Sequence, residues 1–168
     1  MPPRSLYHLD FSEEHLYPEL ISSPELTLRR PSVDDIEAIA GLMLDAYLGT
    51  IDYHGETIED ALEEVQAYFE DRSGGAALTE VSQLAFRDGQ LIAACLCNQW
   101  RERGQPLVAF VMTSASEKRA GLAKLLLTES LHLMHSAGHD GVYAVITNGN
   151  IASERLFGRL GFMVDAWE

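Results

Sequence analysis

Three of the few basic residues in this chain fall together. Lys118, Arg119 and Lys124 flank Ala120-Gly121-Leu122-Ala123, inside a stretch that reads PLVAFVMTSASEKRAGLAKLLLTESLHLM from Pro106 onward. The apolar run over 107–113 has the character of a strand, and 114–117 that of a short polar loop. The residues after Gly121 have the spacing of a long amphipathic helix. That order builds an anion site. The first N–H groups of a helix lack intrahelical partners, and the helix dipole adds partial positive charge there. Gly121 has no Cβ, so a phosphate can approach the backbone closely, and Ala123 keeps the next turn small. The competing reading is structural, because every strand-to-helix unit needs a turn and a lone glycine there is common.

A second stretch bears on the choice. Asn150-Ile151-Ala152-Ser153-Glu154-Arg155-Leu156-Phe157-Gly158-Arg159-Leu160-Gly161-Phe162 resembles the N-x-x-A-x-x-L-Y-x-x-x-G-F signature of the GNAT superfamily, the acyl-CoA-dependent N-acyltransferases. Lys118 to Ala123 is similar to that family's [QR]-x-x-G-x-[GA] pyrophosphate loop, with Lys in the first position. The two motifs come in the family's order, separated by one helix and one strand. The resemblance runs from Leu84 to Phe162 and extends back to Glu25, leaving residues 1–23 outside it. It implies an α/β (α+β) fold, a mixed and mostly antiparallel twisted sheet flanked by about four helices. It also implies an enzyme that moves an acetyl group directly from acetyl-CoA, as cosubstrate, to a primary amine of a small molecule or a peptide N-terminus.

The resemblance assigns roles along the chain. Pyrophosphate falls to Lys118 and to the N–H groups of Arg119, Ala120, Gly121, Leu122, Ala123 and Lys124. The pantetheine arm falls to the backbone of Val111, Met112 and Thr113, as an added strand would pair, with an oxyanion-binding N–H near Met112. Asn150 and Phe157 border the same cofactor. The acceptor wall falls to the connection between the first two helices, where Asp52, Tyr53, His54 and Glu56 stand between Gly49 and the second helix. An alkylamine titrates near pH 10, about like Lys, so it needs a base. A carboxylate or His with a pKa raised by burial can relay the proton through water, which makes Asp52, His54 and Glu56 the candidates. For each of them the alternative is a solvated loop side chain. Two departures from the pattern matter. The family's thiolate-protonating Tyr is Phe157 here, which packs but cannot donate, leaving water, Asn150 or Ser153 to assist. Lys118 attracts phosphate without the forked donors of Arg. Phe157 keeps open a second reading, a GNAT-fold module that binds acyl-CoA or a partner without turnover.

These residues need elements to hold them. Residues 25–30 alternate as a half-buried strand. Ser32 with Asp35 and Thr57 with Asp60 are spaced as capping boxes for two helices. The first carries Ile36, Ile39, Ala40, Met43 and Tyr47, and the second a buried stripe of Ile58, Leu62, Val65 and Phe69, stopped at Ser73-Gly74-Gly75. Residues 78–86 and 90–100 read as strands joined by an Asp88-Gly89 hairpin. A helix over 122–137 places Lys124, Thr128, His132 and His135 on its polar face, so these histidines read as exposed rather than catalytic. A strand over 141–147 should run parallel to 107–113 through a right-handed crossover. Asn150 N-caps the last helix, and 162–167 reads as a final strand. GNAT domains usually carry one more strand, so either the N-terminal residues or a second subunit should complete the sheet.

The 168 residues suit one domain, read as an N-terminal arm over 1–23 and an acetyltransferase-like domain over 24–168. With 26 acidic against 12 basic residues and a net charge of -14, nucleic acid and anionic membrane surfaces are poor partners. A small amine or peptide, and a possible homodimer, fit better. No apolar run is long enough to span a bilayer, and the first residues lack a secretory pattern. Cys95 and Cys97 read as reduced, buried thiols of a cytoplasmic protein, and C-x-C without further Cys is a poor metal motif, so no metal is expected.

Overall fold

A computed structural model describes residues 2–11 and 25–167. Among them one mixed sheet of 7 strands holds four helices against its two faces. The strands are β1 (Arg4–Asp10), β2 (Leu26–Arg29), β3 (Gln83–Arg87), β4 (Gln90–Trp100), β5 (Gln105–Thr113), β6 (Gly141–Thr147) and β7 (Met163–Asp165). They lie in the order β2-β3-β4-β5-β6-β1-β7, and only β5 and β6 are parallel. The helices are α1 (Ile36–Tyr47), α2 (Ile58–Phe69), α3 (Leu122–Ser136) and α4 (Ile151–Arg159).

The N-terminal residues correct the sequence reading. Arg4–Asp10 was expected in an arm, yet it runs inside the sheet, antiparallel to β6 from Arg4↔Thr147 to Asp10↔Gly141, with β7 on its other side. Leu6 and Leu9 are 0% and 2% exposed, so this strand is core. Of the two ways foreseen to extend the sheet beyond β6, the chain itself supplies the strand.

Two apolar layers sandwich the sheet. On one face Leu126, Leu127, Leu131 and Met134 of α3 pack on Ala93, Cys95, Val108 and Ala144. On the other, Ile39, Met43 and Val65 of α1 and α2 pack on Ala94, Leu96 and Met112. The alternation of β4 feeds both layers, which is why seven consecutive residues, Ile92 to Asn98, are buried. Both capping boxes form, at Ser32/Asp35 and Thr57/Asp60. Asp35 also accepts two bonds from Arg29, at 2.8 and 2.7 Å, tying β2 to the start of α1. The Asp88-Gly89 turn has both residues at positive φ, 51° and 77°, as a two-residue hairpin requires.

Three expectations change and one holds. Residues 79–81 form a 3-10 turn before β3 rather than part of a strand. The buried face of α2 is Ala61, Val65 and Tyr68, while Ile58 is 40% exposed. Tyr68 wins that face because its hydroxyl has a buried partner, donating to the Cys97 carbonyl at 2.7 Å and touching Ser82 Oγ at 3.0 Å. Thr128, expected on the polar face of α3, is buried; His132 and His135 are exposed. Finally, the Cys95 and Cys97 sulfurs are 4.0 Å apart, unbridged and fully buried, because residues i and i+2 of a strand share a face.

Gly75 explains a tight contact beside β4. A Cβ there would fall 1.6 Å from the Gln99 carbonyl oxygen, so only glycine lets the α2–β3 connection lie against the strand.

Candidate functional site

The site begins as a defect in the sheet. β5 and β6 pair only at Leu107↔Tyr143 and Val108↔Ala144. The next residue, Ala109, is a bulge, since Leu96 faces Phe110 and Cys97 faces Val108 on the β4 side. An extra residue bends its strand and increases its twist, and from here β5 and β6 part. Between them opens a cleft of about 800 Å³ lined by both strands, α1, α2 and the N-terminal end of α4.

The ladder decides which amides face that cleft. Ser114 donates its N–H to the Ile92 carbonyl, and the register pairs Ala94 with Met112 and Cys95 with Val111. By antiparallel alternation Met112 turns its N–H toward β4, and Val111 and Thr113 turn theirs toward the opening. Met112 is 1% exposed in the α1–α2 core, whereas Val111 lines the cleft. The N–H near Met112 that faces the opening is therefore that of Val111.

The acceptor-loop residues separate in the structure. Asp52 reaches across the opening: its Oδ1 accepts from Thr147 Oγ1 at 2.7 Å and its Oδ2 from Asn150 Nδ2 at 3.0 Å. It thus bridges the α1–α2 loop to the end of β6 and the start of α4. Asn150 also caps α4, its Oδ1 accepting from the Ser153 N–H at 3.2 Å. Tyr53, His54, Glu56 and Ser153 line the same cleft. Glu56, however, folds back on its own loop. Its carboxylate accepts the His54 N–H at 2.8 Å, and this bond holds its pKa below the usual carboxylate range. That is the opposite of the raised value expected for a base, and His54 is exposed.

Phe157 is buried at the floor, edge-on to Phe162 with ring centroids 4.9 Å apart. It fills its slot with carbon and offers no proton. Two groups that the sequence reading left out stand nearby. Tyr47, placed in the helical stripe of α1, lines the cleft at the end of that helix. Burial pushes its phenol pKa up, and the charges of Asp52 and Glu64 add to the shift, so the hydroxyl keeps its proton. Glu64 of α2 lines the cleft too, its carboxyl raised first by burial and then by the charge of Glu56. The one available signal was position: both stand on helix faces that turn toward the Asp52 loop.

The loop before α3 lies at the end of β5, outside the lining of that cleft. Residues 118–121 are exposed, with Arg119 and Gly121 in the left-handed region at φ 71° and 81°. Gly121 is thus required by its backbone conformation, and the space where its Cβ would stand is open. Left-handed residues at a helix start turn successive N–H groups toward one point, a shape suited to an anion. Lys118 is engaged otherwise: its Nζ donates to the Ala46 carbonyl at 2.7 Å, capping the end of α1. Nearby, Asp45 accepts the Ala115 N–H at 2.8 Å. Arg119 and Lys124 are left as the exposed cations beside the helix start.

This architecture has relatives. Residues 25–163 match the model of the acetyltransferase (GNAT) domain. The chain belongs to the GNAT acetyltransferase family, whose acyl donor is acetyl-CoA. Solved structures share the fold at low identity. A GCN5-related N-acetyltransferase from Sphaerobacter thermophilus is 20% identical with a TM-score of 0.72, over 98% of this chain. This chain spans 50% of that protein's length. yncA of Salmonella typhimurium, solved with its cofactor acetyl-CoA, is 21% identical with a TM-score of 0.63, over 84% of this chain and 82% of that one. A ribosomal-protein-alanine N-acetyltransferase from Brucella melitensis is 23% identical with a TM-score of 0.64, over 80% and 83%. No curated protein sequence matches the chain. Among the described residues no helix is long and apolar enough to cross a membrane, and no three His, Cys, Asp or Glu side chains gather as a metal-binding group.

Proposed function

We propose that the protein transfers an acetyl group from acetyl-CoA to a primary amine, by direct attack within the β5–β6 cleft. The observation that carries this reading is the Asp52 bridge: a carboxylate held by Thr147 and Asn150 at the mouth of the split, beside the unpaired edge of β5.

The residues present fit the donor. The free polar groups of Val111 and Thr113 suit an extended amide-bearing arm, and the N–H groups of residues 119–124, with Arg119 and Lys124, suit its phosphates. Lys118 contributes charge from its place on the α1 carboxyl end. When bound, acetyl-CoA supplies an acetyl thioester. Asp52 takes the proton from the incoming ammonium, directly or through one water. The Val111 N–H faces the developing oxyanion and stabilises it. Thr147 and Asn150 keep the carboxylate aimed. Phe157 closes the floor and excludes water, and the departing thiolate, with an ordinary pKa near 8.5, leaves without an acid at that position. Tyr47, held protonated, is one hydroxyl of the cleft lining able to donate.

One feature favours a second reading, binding without turnover. Phe157, buried edge-on against Phe162, stands where the family has its proton donor. Thiol release measured with acetyl-CoA over a panel of primary amines separates the two. The enzyme reading expects amine-dependent release matched by acetylated product. Tight acetyl-CoA binding with release no faster than without amine would favour the binding module. We further place the molecule in the cytoplasm, on the strength of its reduced, buried thiols.

A further inference from the structure

The chain has 2 tryptophans, and both line the cleft. Trp100 ends β4 and meets the Tyr143 ring of β6 edge-on, centroids 5.5 Å apart. Arg103 stacks over both rings, at 5.5 and 5.4 Å, and donates from Nη2 to the Trp167 carbonyl. Trp167 in turn donates its indole N–H to the Arg4 carbonyl at 3.3 Å. The segment after β7 is thereby fixed at two points, yet the Trp167 side chain stays 53% exposed. A ring of this size held in place but left uncovered contributes little to the core. Its free surface borders the cleft.

The same cleft carries acidic groups. Asp52 and Glu64 stand there with the Tyr47 hydroxyl between their fields. The cleft has one arginine, Arg4, and its charge already acts on Glu64. Among the described lining residues, carboxylates therefore outnumber arginines. The cleft volume of about 800 Å³ lies within the range of small-molecule sites, roughly 300–1,000 Å³. Carboxylates and indole surface lining one cleft match a cation attached to a flat apolar body.

We infer that the acceptor is a primary amine carrying an aromatic body, with the ammonium at Asp52 and the ring against Trp100 and Trp167, and that Trp167 determines this specificity. The inference rests on the acetyltransferase reading for its chemistry but has its own readout, because the only indoles in the chain are the ones that would be covered. With CoA present as a dead-end partner, 2-phenylethylamine quenches or shifts the tryptophan fluorescence saturably, whereas 1,4-diaminobutane and a tetrapeptide with a free alanine N-terminus do so only at much higher concentration. In thiol release, Trp167→Ala raises KM for 2-phenylethylamine by about tenfold or more with kcat and the acetyl-CoA KM little changed, as the loss of a purely binding contact demands. Trp167→Phe restores most of the affinity. Preference for the diamine or the peptide, or an unchanged KM in Trp167→Ala, overturns the inference while leaving acetyl transfer intact. Saturable, Trp167-dependent binding of 2-phenylethylamine without thiol release upholds the aromatic slot and overturns the acetyltransferase reading instead.

Discussion

Asp52 joins the three parts of the molecule that a transfer reaction needs: the acceptor loop, the end of β6 and the start of α4. Each of its oxygens accepts one bond, from Thr147 and Asn150, leaving lone pairs for an ammonium. Asp52→Asn keeps the shape but loses the base, and its amide can accept from Asn150 Nδ2 while donating to Thr147 Oγ1. We expect kcat/KM for the amine to fall by about 10²–10⁴-fold, with acetyl-CoA affinity kept, as read by thiol release and by titration of acetyl-CoA. A loss of less than about tenfold would assign the proton to another group. Glu56, by contrast, is a poor base here, since the His54 N–H stabilises its charged form. The sequence made Asp52, His54 and Glu56 equivalent, because a loop shows composition but not direction. What distinguishes them is which side chain turns across the cleft, and the partners that turn it, Thr147 and Asn150, lie nearly a hundred residues away.

At the scale of elements, the strands and helices were mostly legible because their signals are local: two capping boxes, an Asp-Gly hairpin and the period of α3. β1 was read as an arm that could complete the sheet rather than as core, because its alternation is weak; its burial comes from β6 and β7, which no local pattern reports. The β5–β6 split was equally hidden, since a bulge at Ala109 leaves no mark in an apolar run. The buried stripe of α2 runs through Tyr68 rather than Phe69, because the Tyr68 hydroxyl finds its partners in Cys97 and Ser82, both distant in sequence. That tyrosine has a pH consequence. Its pKa is raised, chiefly by burial, so it stabilises the fold fully below the unfolded value, about 10, and that contribution is lost as pH rises beyond it. Tyr68→Phe should cost about 0.5–1.5 kcal/mol at neutral pH by removing the hydroxyl's bonds to Ser82 and to the Cys97 carbonyl, which keeps the Leu78 N–H, and should flatten the alkaline decline seen in denaturant titrations. At the start of α3, Gly121→Ala puts a Cβ on a residue at φ 81°. We expect a loss of about 1–2 kcal/mol in stability, measured by urea unfolding, together with weaker acetyl-CoA binding as the loop amides turn away. Unchanged affinity in a folded Gly121→Ala protein would remove that loop from the donor site.

For the molecule as a whole, the sequence motifs identified the family before the fold was known, because a glycine-containing helix start and the residues around Phe157 keep their spacing. Of the cleft lining, the loop residues Asp52, Tyr53, His54 and Glu56 were singled out from the sequence, whereas Tyr47, Glu64, Trp100 and Trp167 are scattered over some 120 positions and brought together only by the fold. The strongly acidic balance of the chain also acquires a location, since carboxylates face the cleft while cations gather before α3. These two poles suit an ammonium on one side of the split and phosphates on the other. The most direct test of this account is thermal unfolding with acetyl-CoA, run beside ATP as a phosphate control. At a hundredfold excess over Kd, a ligand that binds only the folded state stabilises it by about 2.7 kcal/mol, which for a domain of this size raises Tm by roughly 5–10 °C. The account predicts that rise with acetyl-CoA and little or none with ATP. No rise at saturating acetyl-CoA, or an equal rise with ATP, would contradict it.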